Sequence, residues 1–466
     1  MLESPLSVIS KFPNLSRKMP IPVCRLDTKS GFAVMAIHIE LFPCCRRRRA
    51  VESGFMRKAS LISIGNELLS GQTVNSNAAH LSAELLSAGV PVVSTYVVED
   101  QIDAIVRAFE LAGADADVVI ATGGLGPTDD DLTRQAMAEF LGVELELRDE
   151  LLKKVESFFI SRDRPMPAKN KIQACIPAGA KALANIGTAP GIGAESQGKW
   201  FFALPGVPSE MKRMFAESVL PELRRLASGQ AVVVKKLKCF GAGESTIAEM
   251  LGTMMQRGRN PLINCTVSAG VITLHVIATA KDEQTAGQRV QRDETTLRGI
   301  LGELVFGSAE QSLAQVVGEK LAQQNKTIAV AESCTGGLLA KMLTDVPGSS
   351  EYFRCGWITY SNQAKTSELG VPAELIAEYG AVSEQVAESM ARGAGTRADT
   401  DFAIGITGIA GPTGGSEQKP VGLVYISVSS KRENQSRRFI FSHDRSTIRR
   451  RAAQTAINML RLKLNV

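Results

Sequence analysis

Residues 117–133 read DVVIATGGLGPTDDDLT. The segment VVIAT is apolar without alternation, the pattern of a strand covered on both faces, as in a parallel sheet. It runs straight into Gly123, Gly124 and Gly126. Glycines permit positive φ and leave backbone N–H groups free to meet oxyanions. The carboxyl end of a parallel strand is also where open α/β sheets bind their ligands. A structural tight turn would use the same residues, so one such loop decides little. The design recurs at residues 401–420, DFAIGITGIAGPTGGSEQKP, with Gly408 and Gly411 after a second buried strand. Two such loops predict two phosphate-bearing ligand sites, one per domain.

Around the first loop, short apolar runs alternate with amphipathic helices. LISIG, VPVVSTYVV and DVVIAT read as strands, SNAAHLSAELLSAG and QIDAIVRAFELAGA as helices, and LPGVPSEMKRMFAESVLPELRRL closes the block. Such alternation predicts a doubly wound α/β domain over residues 57–230. Residues 231–308 change character: VVVKKLKCFG, VITLHVIATA and the helical QRVQRDETTLRGILGEL predict a small α+β module with a GAGE turn at 241–244. The polar GSAEQS marks a boundary. From residue 309 to 466 the α/β alternation resumes, ending in RSTIRRRAAQTAINMLRLKL, apolar on one helical face and basic on the other. That basic face is expected to be solvated surface.

A chain of 466 residues, 44% apolar and 22% charged, suits two or three soluble domains. The net charge of +5 is spread too thinly to predict a nucleic-acid partner. Eight cysteines without C-x-x-C spacing argue against a disulfide framework or zinc site and for a reducing cytoplasm. No apolar run reaches the ~18 residues of a membrane span. Residues 1–56 are peculiar, because GFAVMAIHIELFPCC precedes RRRR where a signal peptide carries its charge first. They read as a basic patch at Arg46–Arg49 or as an extension ahead of a start at Met56.

Asp129, Asp130 and Asp131 follow the first glycine loop directly. Three carboxylates beside a phosphate cradle would repel the ligand unless a divalent cation bridges them, and Mg²⁺ is usually held by one or two carboxylates plus substrate phosphates. Diphosphate hydrolysis is a coherent use, with Asp130 and Asp131 on the metal and Glu67, after the first strand, reaching the same sheet end. The plainer alternative makes an aspartate the cap of helix LTRQAMAEFLG.

Five segments, IGNELLSGQTVNSNAAHLSAEL, ATGGLGPTDDDLT, PAKNKIQACIP, IGTAPGI and LPGVPSEM, resemble the N-terminal, molybdopterin-binding-like domain of the CinA (competence/damage-inducible) family. AESCTGG, WITYSNQAK, GAVSEQVAESMARGA, GITGIAGPTGGSEQKPVG and DRSTIRRRAA resemble its C-terminal nicotinamide-nucleotide amidohydrolase domain. The resemblance covers residues 57–466 in the family's order. It implies a hydrolase of ADP-ribose, dependent on Mg²⁺, Mn²⁺ or Co²⁺, in the N-terminal domain, with Gly123, Gly124, Gly126 and Thr128 at the substrate. It implies a cofactor-free amidase of nicotinamide mononucleotide (NMN) in the C-terminal domain, a KH-like middle module and a homodimer. Asn66 stands where many members carry aspartate, and His443 where glycine is common.

In AESCTGG, residues 331–337, a serine, a cysteine and a threonine are consecutive. Amide hydrolysis needs a nucleophile, a base, oxyanion donors and a proton for the departing ammonia. At a strand-to-helix turn, helix N-terminal amides with Gly336 and Gly337 would take the oxyanion. With only four histidines in the chain, the base is sought among lysines, and Lys365 in YSNQAK is the candidate. Such a lysine must lose roughly two to three units by burial to act near neutrality. On chemistry alone Ser333 and Cys334 are nearly level, the rival set being Glu332, Lys365 and Cys334. The resemblance selects Ser333 with Lys365, and adds Tyr360 as proton relay or lysine orienter and Thr407 as donor to the amide or nucleophile. Thr335 reads as a helix cap facing the substrate. Lys419, the 408–415 loop and Arg445 or Arg449, with Arg449 preferred, are the phosphate-binding candidates. The competing class is a non-catalytic nucleotide- or pterin-binding regulator linked to DNA uptake.

Overall fold

The computed structural model describes residues 57–184, 186–226 and 231–464. Both readings of the N-terminal 56 residues lie outside the described residues.

The first sheet is built from β1 (Ala59–Ile64), β2 (Val92–Val98), β3 (Val118–Thr122), β6 (Lys181–Ala182), β7 (Ile192–Ser196) and β8 (Lys199–Leu204). Their order is β2-β1-β3-β8-β7-β6, parallel through β8 and antiparallel beyond it. A small ribbon of β4 (Leu145–Leu147) and β5 (Cys175–Pro177) stands beside it. Every residue of β1 and β3 is buried, which is why neither segment alternates. Each fully buried Ile, Leu or Val there contributes about 1.5–3 kcal/mol. The helices Ser76–Ser87 and Ile102–Asp115 bury Leu81, Leu85, Ile105 and Phe109 in two apolar clusters.

The middle module is a four-stranded antiparallel sheet, β10-β11-β9-β12, made of β9 (Ala231–Cys239), β10 (Leu262–Ser268), β11 (Val271–Ala280) and β12 (Val305–Ser308). The helix Glu283–Leu301 lies across it.

The third sheet runs β14-β13-β15-β16-β17, from β13 (Ile328–Glu332), β14 (Phe353–Ile358), β15 (Phe402–Gly408), β16 (Leu423–Ser430) and β17 (Asn434–Ile440). Its first three strands are parallel and its last two antiparallel. The carboxyl ends of β13, β14 and β15 therefore open on one edge, and there the candidate residues gather. The terminal helix, Arg445–Lys463, buries Ile448, Ala452, Ala456, Ile457 and Leu460 against this domain. It also buries Arg461, so its basic face is not the uniformly solvated surface the sequence suggests. No helix among the described residues is long and apolar enough to cross a membrane.

Candidate active site

Strand β13 ends at Glu332, and the next residue, Ser333, is held by its backbone N–H to the carbonyl of Ile406 on β15. The chain then turns through Gly336 and Gly337, both at positive φ (57° and 89°), before the helix Leu338–Thr344. The Lys365 side chain, 1% exposed, comes in from the helix Asn362–Leu369. Its Nζ lies 3.2 Å from Ser333 Oγ, 2.8 Å from the Thr359 carbonyl and 3.4 Å from that of Tyr360. The helix is fixed by Ser361, whose hydroxyl accepts the Ala364 N–H. Among the described residues no carboxylate bonds this amine, and burial holds its pKa below the usual lysine range.

The rival set falls apart geometrically. The Glu332 carboxylate accepts the backbone N–H groups of Gly337, Leu339 and Ala340 at 2.9, 3.1 and 2.8 Å. It is the helix cap. Cys334 packs in the apolar core with Val330 and Leu339, and burial pushes its thiol up to about 12, so no thiolate is available near neutrality.

Two expectations at the turn are overturned, and several other candidate side chains bond within the protein. Thr335 does not cap the helix: its Oγ1 is buried without a partner among the described residues, and Glu332 does the capping. The helix N-terminal amides expected to receive an oxyanion are the ones Glu332 occupies. The backbone N–H groups of Cys334 and Thr335 bond to no other described residue and are the donors left beside Ser333. Tyr360 is 60% exposed and its hydroxyl accepts from Arg445 at 3.0 Å, so of the two expected roles the phenol is turned away from a proton relay, while its carbonyl bonds the lysine. Thr407 Oγ1 donates to the Ala381 carbonyl at 2.7 Å rather than to the nucleophile. Lys419 Nζ is spent on the Tyr379 carbonyl, and Arg449 on that of Thr335. Arg445 ties Tyr360 to the glycine loop through the Gly411 carbonyl, so of the two arginines it is the one that spans the mouth of the site. Gly408 and Gly411 have steric reasons of their own, since a Cβ would meet Leu423 O at 2.7 Å and Val421 Cγ1 at 2.5 Å.

At the first glycine loop, a Cβ on Gly123 would stand 2.3 Å from Ile64 O, one on Gly124 2.3 Å from Thr133 Oγ1, and one on Gly126 2.2 Å from Asp131 Oδ2. Asp131 Oδ2 accepts the Thr128 N–H and hydroxyl, Asp129 pairs with exposed Lys169, and no aspartate caps the following helix, Thr133–Leu141. Glu67 reaches the same sheet end from the turn Asn66–Leu69 after β1. No group of three His, Cys, Asp or Glu among the described residues stands ready to hold a metal.

Three family models match in series. The probable molybdopterin binding domain covers residues 60–225, the damage-inducible protein CinA KH domain 234–307 and the CinA C-terminal domain 310–464. A Caldicellulosiruptor bescii protein named for competence-damage induction is 42% identical over 407 residues, 87% of this chain and 99% of its own. The chain belongs to the CinA family. A CinA-like protein of Kosmotoga olearia is 40% identical over 408 residues, 87% of this chain and 99% of its own. The crystal structure of competence/damage inducible protein CihA from Agrobacterium tumefaciens is 40% identical, covering 33% of this chain and 94% of that one at a TM-score of 0.32.

Two residues of this CinA chain were not singled out by sequence. Arg134, 2% exposed, donates from Nη1 and Nη2 to the carbonyls of Gly126 and Leu125 and so braces the first loop from below. Its signal was present: a cation in the first turn of a helix opposes the dipole and needs a dedicated partner. Asp100, after β2, accepts the Asn66 N–H, and burial together with the nearby charges of Glu67, Asp130 and Asp131 raises its pKa. Only the fold brings it there.

Proposed function

We propose that the C-terminal domain hydrolyses the carboxamide of NMN, giving nicotinate mononucleotide and ammonia. The reading is carried by one observation: a buried, carboxylate-free lysine amine 3.2 Å from a serine hydroxyl at the open edge of a parallel sheet. A neutral Lys365 takes the Ser333 proton as Oγ bonds the carboxamide carbon. The N–H groups of Cys334 and Thr335 receive the oxyanion, a placement worth about 3–4 kcal/mol per donor where such holes have been dissected. Lys365 then returns the proton to the leaving nitrogen, ammonia departs, and water repeats the sequence on the acyl-serine to release the acid. Arg445 is the candidate for the phosphate. Ammonia release from NMN by the full chain, with Ser333→Ala alongside, tests the reading; a mutant that turns over at the original rate ends it.

For the N-terminal domain we propose hydrolysis of the diphosphate of ADP-ribose. Glu67, Asp130 and Asp131 are hard oxygen donors; Glu67, after β1, and Asp130, at the loop, are exposed and Asp131 is half-buried. They fit a divalent ion that the substrate's own phosphates complete, since Mg²⁺ keeps few protein ligands, not a cage formed by protein alone. Bound there, the ion would neutralise phosphate charge. The chain's own part is positional: Arg134 and Thr128 hold the loop, and Asp131 keeps Oδ1 for the site while Oδ2 takes Thr128.

A further inference from the structure

The GAGE turn of the middle module and the side of the terminal helix that carries Arg451 have no part in either reaction above, yet they face each other across a cavity of about 490 Å³. One wall is the KH-like module: Phe240, Gly241 and the β10–β11 turn at Gly270. The other is β17 and the terminal helix, with Arg437, Arg451 and Arg461. Arg449 and Arg451 are two residues apart, so they leave the helix about 200° from one another. Arg449 bonds Thr335 beside Ser333, and Arg451 faces the module.

The charge balance in this cavity is lopsided. Among the described lining residues the only acid is Glu303, which is exposed and gives its carbonyl to Arg461. Neither Arg437 nor Arg451 makes an ion pair or hydrogen bond with a described residue. Arg437, exposed, and Arg451, half-buried, both line this recess, and two guanidiniums there suit an oxyanion that each can fork. Phe439 and Phe441, which also line the cavity, lie stacked with ring centroids 5.6 Å apart at 9°. Both are half-buried and give the lining an apolar, aromatic part beside the cations. Gly241 and Gly270 take φ of 103° and 83°, so both turns approach without side chains. The volume lies within the roughly 300–1,000 Å³ of small-molecule sites.

We propose that this cavity binds a phosphomonoester carrying an aromatic base, a mononucleotide, with phosphate on Arg437 and Arg451 and base against Phe439 and Phe441. Because its walls come from two modules, the ligand would tie the KH-like sheet to the C-terminal domain. The site is separate from Ser333 and stands or falls without the amidase reading.

The test is calorimetry of the full chain with AMP, adenosine and inorganic phosphate, on the parent protein and on Arg451→Glu and Arg437→Glu, with Arg451→Gln as the milder change. The expected result is AMP binding that weakens at least tenfold in each variant, with adenosine and phosphate at least tenfold weaker than AMP on the parent. Hydrogen exchange with AMP bound should slow at residues 240–243 and 268–271. An isotherm unchanged by Arg451→Gln and Arg437→Glu overturns the proposal. So does protection confined to residues 123–128, which would place AMP at the N-terminal loop. Binding of single-stranded RNA without AMP binding also overturns it, since that assigns the face to a polymer.

Discussion

The Glu332 carboxylate and the Gly337 N–H are 2.9 Å apart across the five-residue turn that carries Ser333. Two further amides, of Leu339 and Ala340, converge on the same buried group. The turn is thus closed by a charge-assisted clamp rather than by the hydroxyl of Thr335, and Ser333 owes its aim at Lys365 to it. Glu332→Gln keeps one acceptor but turns an NH₂ toward a backbone donor. It should cost about 1–3 kcal/mol of stability and lower kcat for NMN more than it raises KM. Thermal unfolding and steady-state kinetics on the same preparation check both halves; a stability loss with kcat intact would limit Glu332 to a scaffold role.

Ser333 and Cys334 are adjacent but differently placed, and the two alanine variants should separate them. Ser333→Ala should remove nearly all ammonia release, by about 10³-fold or more given the scale of nucleophile loss. Cys334→Ala removes only a small buried group from the core, at about 1 kcal/mol, and should keep kcat within about threefold. Loss of turnover in Cys334→Ala with the melting point preserved would restore the thiol as nucleophile.

What the sequence made legible followed from local pattern. The unbroken apolar run of β3 announced a strand buried as in a parallel sheet. Strand β1, broken by Ser60 and Ser63, and strands β13 and β15 also read as strands, and the glycine turns after β3 and β15 lie at strand ends as read. The antiparallel half of the C-terminal sheet was hidden, because β17, Asn434–Ile440, is polar and half-exposed and carries no apolar run. Strand β10, LINCTVS, was missed because its second half is polar and exposed, and β7, IGAES, because it is short and mixes glycine with polar residues although its first three are buried. At the site, Ser333 and Lys365 were legible as residue types, but 32 residues separate them and only the β13–β14 pairing brings them together. Hydrogen bonds to backbone carbonyls were not legible at all. The engagements of Lys419, Arg449 and Thr407 use main-chain acceptors that every residue possesses, so nothing in the sequence marks them.

The lowered pKa of Lys365 has a pH signature with a definite sign. Activity needs the neutral amine, so kcat/KM for NMN should climb with pH through a value below the ordinary ~10.4 of lysine. Between that value and ~10.4 the unfolded chain binds more protons at this site than the folded one, and stability rises with pH across the window. Lys365→Met removes the term. Its melting temperature relative to the parent should therefore fall as pH rises from about 7 to about 10. A difference constant across that range would mean that the amine is not perturbed.

Arg134 offers a way to disturb one domain alone. Its guanidinium, buried below the first glycine loop, donates to the carbonyls of Leu125 and Gly126, and burial lowers its pKa to about 10. Lysine at this position keeps the charge but cannot fork two carbonyls. Arg134→Lys should then lower ADP-ribose hydrolysis about tenfold or more, the range expected when a positioning contact is lost, and leave ammonia release from NMN untouched. EDTA should separate the domains in the same way, abolishing ADP-ribose hydrolysis while the proposed Ser333–Lys365 chemistry, written without a cation, continues. Parallel assays of both substrates on one sample check the pair of outcomes. If chelation stopped NMN turnover as well, the division of labour between metal-assisted and serine–lysine chemistry would be wrong for this chain.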